Sequence, residues 1–343
     1  MARKTKDRPS PFLEMKRKHN SIKKQMPRWR VVPTGIYELD HEVLGCGGIP
    51  IGTMTGLAGQ PSSGKTSLCD HISACFQRQS GSVSYNDIEG TFDSDWAERL
   101  GVSFADEHWD FEDTNKSAEH AYQRMFDFLG LADLIVLDSV AMMMPAEELA
   151  KGIIDEKTDE ATSERIAGRA RTNRRCLTMI VWGKQDETNL RNSNTAVLLV
   201  NQLTANIGSH GDKNTEAGGS GVKFGCSIML RMSRKSQMAD TLKTGVVKFK
   251  VKNTKNKLAL PFRECSIFLD VEEAKFWPCD AKKWVALAEK VEDLQVFKEK
   301  GFIRIGDQHL KGYREVAQYL REHYDLVGKV LSGKTEAEEV EEE

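Results

Sequence analysis

The sequence predicts an α/β protein with a mainly parallel central sheet, and three observations predict it. Residues 59–66, Gly59-Gln60-Pro61-Ser62-Ser63-Gly64-Lys65-Thr66, read G-x-x-x-x-G-K-T, a complete P-loop. Around and beyond that loop, short apolar runs alternate with stretches of helical period, the mark of a parallel sheet covered by helices. In the later part of the chain the apolar runs follow one another closely, which places antiparallel hairpins at one edge.

The loop justifies the first elements. Met54 to Leu57 is an apolar run able to form the strand before it. From Thr66 onward Leu68, Ile72 and Phe76 recur at helical spacing, so a helix begins where the loop ends. Gly59 and Gly64 let backbone N–H groups converge on phosphate oxygens. The new helix aims its N-terminal N–H groups at the same place. Lys65 can reach the β- and γ-phosphates, and Thr66 offers a hydroxyl to Mg²⁺. By chance alone, roughly one chain in a hundred of this length would carry such a motif; strand before and helix after lower those odds.

The remaining elements follow in order. Strands are expected at Ser82–Ile88, Leu134–Leu137, Ala196–Val200, Ile228–Met232, Val246–Val251 and Cys265–Val271. Helices are expected at Ser117–Leu129, where Tyr122, Met125, Phe126 and Leu129 share a face, and from about Asp159 to Met179. A smaller mixed unit begins near residue 275, with helices at Lys282–Glu289 and Tyr313–His323 and a strand at Phe302–Ile305. The expected organisation is a basic segment with a short helix (1–33), a core (34–274), a small C-terminal domain (275–332) and an acidic tail (333–343).

Composition narrows the class. The chain has 343 residues, enough for about two domains, and 29% of them are charged. No run of 18 apolar residues occurs, so no transmembrane helix and no membrane partner is expected. The seven cysteines are scattered without a C-x-x-C, which fits reduced thiols of a cytoplasmic protein. The histidines show no zinc spacing. Net charge near −2 conceals an asymmetry: residues 1–30 hold eleven Lys and Arg, while the last eight residues hold six Glu. Such blocks are usually solvated, but an acidic tail can also compete with nucleic acid for a basic surface.

Carboxylates and amides at strand ends form a constellation with the P-loop. Asp138 closes the apolar run Leu134–Leu137, where an aspartate can hold the Mg²⁺ shell. Glu89 follows the strand ending near Ile88 and is a candidate to polarise the attacking water. Gln202 follows Val200-Asn201 and can sense a γ-phosphate. Arg165 and Arg169 share one face of the helix near residue 165, and Arg171, Arg174 and Arg175 share another. A solvated face is the plain alternative.

In that order the motifs resemble the RecA family of homologous recombinases, including its phage-encoded UvsX-like members. The resemblance runs from about residue 34 to 330. It implies a RecA-like P-loop ATPase core and nucleotide contacts from Gly59, Ser62, Ser63, Gly64, Lys65, Thr66 and Ser67. In the segment Asp87-Ile88-Glu89-Gly90-Thr91-Phe92-Asp93-Ser94-Asp95-Trp96 it implies a catalytic Glu89, with Asp93 and Trp96 at the adenine. Asp138-Ser139 is similar to Walker B, giving Thr66 and Asp138 to the metal, and Asn201-Gln202 is similar to the ATP-sensing amide. Lys255 and Lys257 fall in a segment whose lysines reach the ATP of the neighbouring subunit. Arg169, with Arg171 and Arg175 beside it, falls at a DNA-contact position, and Gly218, Gly219 and Ser220 fall at the end of the second DNA loop.

The implied activity is ATP-dependent pairing and strand exchange by a helical filament on single-stranded DNA. ATP and Mg²⁺ are its cofactors, homologous duplex its second substrate, and loader or single-strand-binding proteins candidate partners. A hexameric replicative helicase and a passive single-strand coat are the competing expectations. Two departures stand out: the Asp138–Arg169 and Trp182–Asn194 stretches look longer than in bacterial RecA, and the second loop carries His210 rather than a bulky apolar residue at its tip.

Overall fold

The computed structural model describes residues 29–114, 117–150, 161–182, 189–191, 193–205, 214–216, 220–236, 241, 243–299 and 302–332. The basic helix expected at Phe12–Gln25, Gly218, Gly219, His210 and the acidic tail lie outside them.

The first described elements are a two-residue antiparallel ribbon, β1 (Val31–Val32) with β2 (Ile49–Pro50), and between them a π-helix at Glu38–Leu44. Asp40 of that helix anchors the preceding turn: its carboxylate accepts from the Thr34 hydroxyl (2.8 Å), the Thr34 N–H and the Gly35 N–H (3.1 Å). The core then alternates as the periodicity requires. β3 (Met54–Gly59) leads through the P-loop to α1 (Lys65–Gln77), and β4 (Val83–Asp87) to α2 (Ser94–Arg99). Next come β5 (Trp109–Glu112), α3 (Ala118–Asp127), β6 (Leu134–Asp138), α4 (Ala146–Ala150) and α5 (Ala161–Trp182). They are followed by β7 (Ala196–Ala205), β8 (Asn214–Glu216), α6 (Ser220–Gly225), β9 (Ile228–Arg234), β10 (Val246–Asn256), β11 (Glu264–Asp270) and β12 (Lys275–Phe276).

The main sheet runs β12-β11-β10-β9-β3-β7-β6-β4-β5, with β8 paired to the end of β7. The strands from β9 to β5 are parallel, and β10, β11 and β12 add antiparallel at one edge, as the sequence predicted. Every residue of β3, β4 and β6 is buried, because helices cover both faces. β6 shows this residue by residue. Leu134 and Val136 pack with Leu68, Ile72 and Phe76 of α1, whereas Ile135 and Leu137 pack with Met125 of α3 and Leu177 of α5.

Two expectations change in detail. β7 continues five residues past Val200 to Ala205, where hairpin pairing with β8 extends it. The edge strand β5 was not foreseen: its four residues, Trp-Asp-Phe-Glu, are too few and too acidic to announce a strand. Here Asp110 is paired with Arg124 of α3 at 2.5 Å, which explains an acid in that position. Among the described residues no helix is long and apolar enough to cross a membrane.

The last elements are α7 (Ala281–Ala288), the antiparallel sheet β13 (Val296–Glu299), β14 (Phe302–Ile305), β15 (Gln308–Leu310), and helices α8 (Gly312–Glu322) and α9 (Tyr324–Leu331). They enclose a third apolar cluster around Trp284, whose indole N–H donates to the Leu326 carbonyl at 3.0 Å. Asp280 caps α7 by accepting from the N–H groups of Lys282 and Lys283. Trp284 is fully buried, so Trp284→Ala should cost about 3–5 kcal/mol, read as a lower midpoint in chemical denaturation. An unchanged midpoint would show that the Trp284 cluster does not contribute to the cooperative unit.

Candidate nucleotide site

The site forms where β3, β4, β6 and β7 end. Gly59 is the last residue of β3, and its lack of a side chain is required. A Cβ there would lie 2.3 Å from the Ser63 Oγ and 2.6 Å from the Met232 carbonyl oxygen. Gly64 has φ +81°, and a Cβ on it would strike the Phe249 ring at 2.6 Å. Ser62 also takes a left-handed conformation, with φ 59°. The loop therefore turns tightly and leaves a concave cradle of the kind that binds phosphate through main-chain N–H groups. Ser63 lies buried beneath it, its Oγ without a partner among the described residues.

Lys65 opens α1 and folds back over the loop, donating from Nζ to the Gln60 carbonyl at 3.0 Å. Burial lowers its pKa, and the carboxylates of Asp138 and Glu89 oppose that shift. The neighbouring Thr66 donates its hydroxyl to Asp138 Oδ2 at 2.8 Å. The Tyr85 hydroxyl reaches the same oxygen at 3.3 Å. Burial first, and then the nearby Glu89, pushes the Asp138 carboxyl up to about 6; the Thr66 hydrogen bond works the other way. A cation at this point would favour the charged form. The paired hydroxyl and carboxylate are hard oxygen donors suited to Mg²⁺. Among the described residues no cluster of three or more His, Cys, Asp or Glu gathers to hold a metal unaided.

Glu89 faces this pair. It follows β4, whose Asp87 lies opposite Asp138 of β6 in the parallel register. Its Oε1 accepts from the Ser139 hydroxyl at 2.5 Å and from the Gln202 side-chain amide at 2.7 Å. Gln202 arrives from β7, where it stands opposite Gly59. Pro61, Ser62, Gly64, Lys65, Thr66 and Ser67 thus share one cleft of about 270 Å³ with Glu89, Asp138 and Gln202.

The other sequence candidates fall elsewhere. Asp93 caps α2, accepting from the Trp96 N–H at 3.0 Å. Trp96 donates its indole N–H to Ser67 Oγ at 3.1 Å, and the Arg99 guanidinium lies 5.1 Å from its ring centre. It flanks the cleft without lining it. Lys255 donates from Nζ to the carbonyls of Lys223 and Cys226 at the end of α6, and Lys257 is exposed; neither lines the cleft of its own chain. Arg169 is held by Glu148 through two hydrogen bonds, 3.0 Å from Nε and 2.8 Å from Nη2. Arg171 and Arg175 on the same helix are exposed. Ser220 is the first residue of α6.

Sequence reasoning gave no role to Asp87, to the Ser139 hydroxyl or to Glu148. Asp87 carried a usable signal: an aspartate followed two and three residues later by Glu89 and Gly90 is a common turn former. Ser139 and Glu148 carried none, because their partners lie 50 and 21 residues away. Gly59→Ala, which drives a Cβ into the Met232 carbonyl, should weaken nucleotide binding at least ~10-fold with secondary structure intact by circular dichroism. Wild-type affinity in a fluorescent-nucleotide titration would mean the cradle can shift to accept the methyl group.

Known proteins are similar to this chain. The RecA N-terminal domain family matches residues 18–273. Protein RecA of Aquifex aeolicus (strain VF5) is 30% identical over 302 residues, 87% of this chain and 81% of that protein. Protein RecA of Thermus thermophilus is 31% identical over 310 residues, 89% of this chain and 85% of that protein. The crystal structure of the RadB recombinase is 17% identical with a TM-score of 0.49, covering 72% of this chain and 98% of that one. A domain match spanning most of the chain, together with relatives at this identity and coverage, means that this chain belongs to the RecA family.

Proposed function

We propose that this protein is a DNA-dependent ATPase that acts as a recombinase, assembling on single-stranded DNA and pairing it with homologous duplex. The observation that carries the reading is the single cleft in which a phosphate cradle, Lys65, Thr66–Asp138 and Glu89–Gln202 meet. Membership of the RecA family supports the DNA side of the reading.

Each residue then has a role. The loop residues Gly59 to Gly64 and the ammonium of Lys65 bind the ATP phosphates, with Ser67 at the helix start beside them. Thr66 and Asp138 hold Mg²⁺, which supplies charge neutralisation at the transferred phosphoryl group. Glu89 takes the proton of the attacking water. Gln202 contacts the γ-phosphate and links nucleotide state to the segment after β7. Asp93 and Trp96 border the base. Lys255 and Lys257 act on the ATP of an adjacent subunit, so hydrolysis would need assembly. Arg169, Arg171 and Arg175, with the N–H groups of Gly218, Gly219 and Ser220, bind DNA phosphates without reading sequence. The division at residues 33, 274 and 332 belongs to the same proposal, and the apolar cluster that begins at Trp277 supports the boundary at 274.

The test is ATP hydrolysis with and without single-stranded DNA, alongside electron microscopy with a non-hydrolysable ATP analogue. The protein should turn over faster with DNA and form helical filaments. Glu89→Gln should bind ATP and DNA but turn over at least ~10²-fold more slowly, and near-normal turnover would remove the general-base assignment.

Arg169 and Glu148 supply a second test. Their bidentate pair occupies the guanidinium that DNA phosphate would need. Arg169→Ala should weaken binding equally on all sequences and lower the salt slope by about one. Glu148→Gln should tighten binding at fixed salt. Glu148→Gln binding like wild type in a fluorescent-oligonucleotide titration would show that the pair does not compete with DNA.

A further inference from the structure

Glu89 is held from two directions, and two of the residues that hold it, Asp87 and Ser139, have no contact with nucleotide in the reading above. Asp87 is the last residue of β4, and only 4% of it is exposed. Its carboxylate accepts three main-chain N–H groups from the turn that follows: Glu89 at 3.1 Å and Gly90 at 2.9 Å on Oδ1, and Phe92 at 2.8 Å on Oδ2. Both oxygens of the carboxylate thus accept, and together they hold the turn at three points. Gly90 at the apex has φ +66°, which lets the chain reverse around that carboxylate. From the other side the Asp138 carbonyl accepts from the N–H groups of Ile88 at 2.6 Å and Glu89 at 3.3 Å. The main chain of Glu89 is thereby clamped between the ends of two neighbouring strands.

The side chain is held separately. Both donors to the carboxylate, Ser139 and Gln202, fall on Oε1. Oε2 has no hydrogen bond within the described residues, and Glu89 lines the cleft. Gln202 is the donor that leaves when its amide turns to a γ-phosphate. The anchors that stay are the Asp87 turn and the Ser139 hydroxyl.

We propose that Asp87 is a positioning residue for hydrolysis, fixing the turn that carries Glu89, and that Ser139 completes the fixation by holding Oε1 so that Oε2 is left to take the proton of water. The proposal rests on Glu89 being the general base. Asp87 does not line the cleft, and its three hydrogen bonds tie it to the turn that carries Glu89. Asp87→Asn is nearly isosteric but replaces one acceptor oxygen with a donor, which faces either the Phe92 N–H or the Glu89 and Gly90 N–H groups. The turn must then open on one side. A shift of about 1 Å in a catalytic group is enough to cost on the order of 10²-fold in rate.

The experiment is a double-mutant cycle on single-stranded-DNA-stimulated ATP hydrolysis by the full chain, using Asp87→Asn, Glu89→Gln and the pair. Fluorescent ADP affinity and thermal midpoint are measured in parallel. Asp87→Asn should lower kcat by about 10- to 100-fold, with KM and ADP affinity within about threefold of wild type. On the Glu89→Gln background it should lower kcat no further, since the group it positions is gone. A purely structural Asp87 would instead lower both backgrounds equally, and that result, or an unchanged kcat, overturns the proposal. A dead Glu89→Gln beside an active Asp87→Asn sinks the positioning role alone, whereas an active Glu89→Gln sinks the reading of the site and this role with it. Should Asp87→Asn not fold, Ser139→Ala, which removes one hydroxyl, runs through the same cycle with the same expected non-additivity.

Discussion

The register of the parallel strands is the constraint on which the rest of the structure depends. Gly59 at the end of β3 lies opposite Gln202 of β7, and Asp87 of β4 lies opposite Asp138 of β6. That alignment brings the phosphate cradle, a metal-suited carboxylate, a glutamate and a glutamine to one level at the carboxyl edge of the sheet. A slip of one residue in β6 would send Leu134 and Val136 to the face now filled by Ile135 and Leu137. The two apolar clusters therefore hold the chemistry in place, and one of their members, Tyr85, also reaches the Asp138 carboxylate with its hydroxyl.

Charge at the edge is balanced locally. Buried Asp138 and half-buried Glu89 lie near Lys65, and each acid meets hydroxyl or amide donors. Burial raises the Asp138 carboxyl to about 6, and the Thr66 hydroxyl opposes that rise, as a cation would. The site is thus electrostatically prepared for a positive ion and a polyphosphate together, each lowering the cost of the other. Lys65 rests on the Gln60 carbonyl, a contact weak enough to exchange for a phosphate oxygen.

The segment leaving β6 ties this edge to the arginine helix. Ser139 touches Glu89, and nine residues later Glu148 of α4 grips Arg169 of α5. Two contacts fasten the stretch between them: the Ala118 N–H bonds the Met144 carbonyl, and the Ala146 N–H bonds Glu119. A single short segment therefore carries one contact with Glu89 and one with Arg169. That is the minimum connectivity by which the proposed nucleotide and DNA sites would bias each other.

The sequence by itself determined the P-loop, the strand–helix alternation and the acids at strand ends. Those signals are local: glycine spacing, the period of apolar residues, and a carboxylate closing an apolar run. It left β5 unread because four residues carry too little periodicity, and it missed β8 because that strand exists only as a partner of β7. Only the tertiary structure decided that Gln202 and Ser139 share one oxygen of Glu89, that Asp87 anchors the turn rather than the cleft, and that Arg169 has Glu148 as its partner. Several of these contacts join residues far apart in the chain, and strand order and register, not sequence spacing, bring them within 3 Å. Asp87 differs in kind. Its partners are its neighbours, but only the observed turn shows that three N–H groups converge on a buried carboxylate.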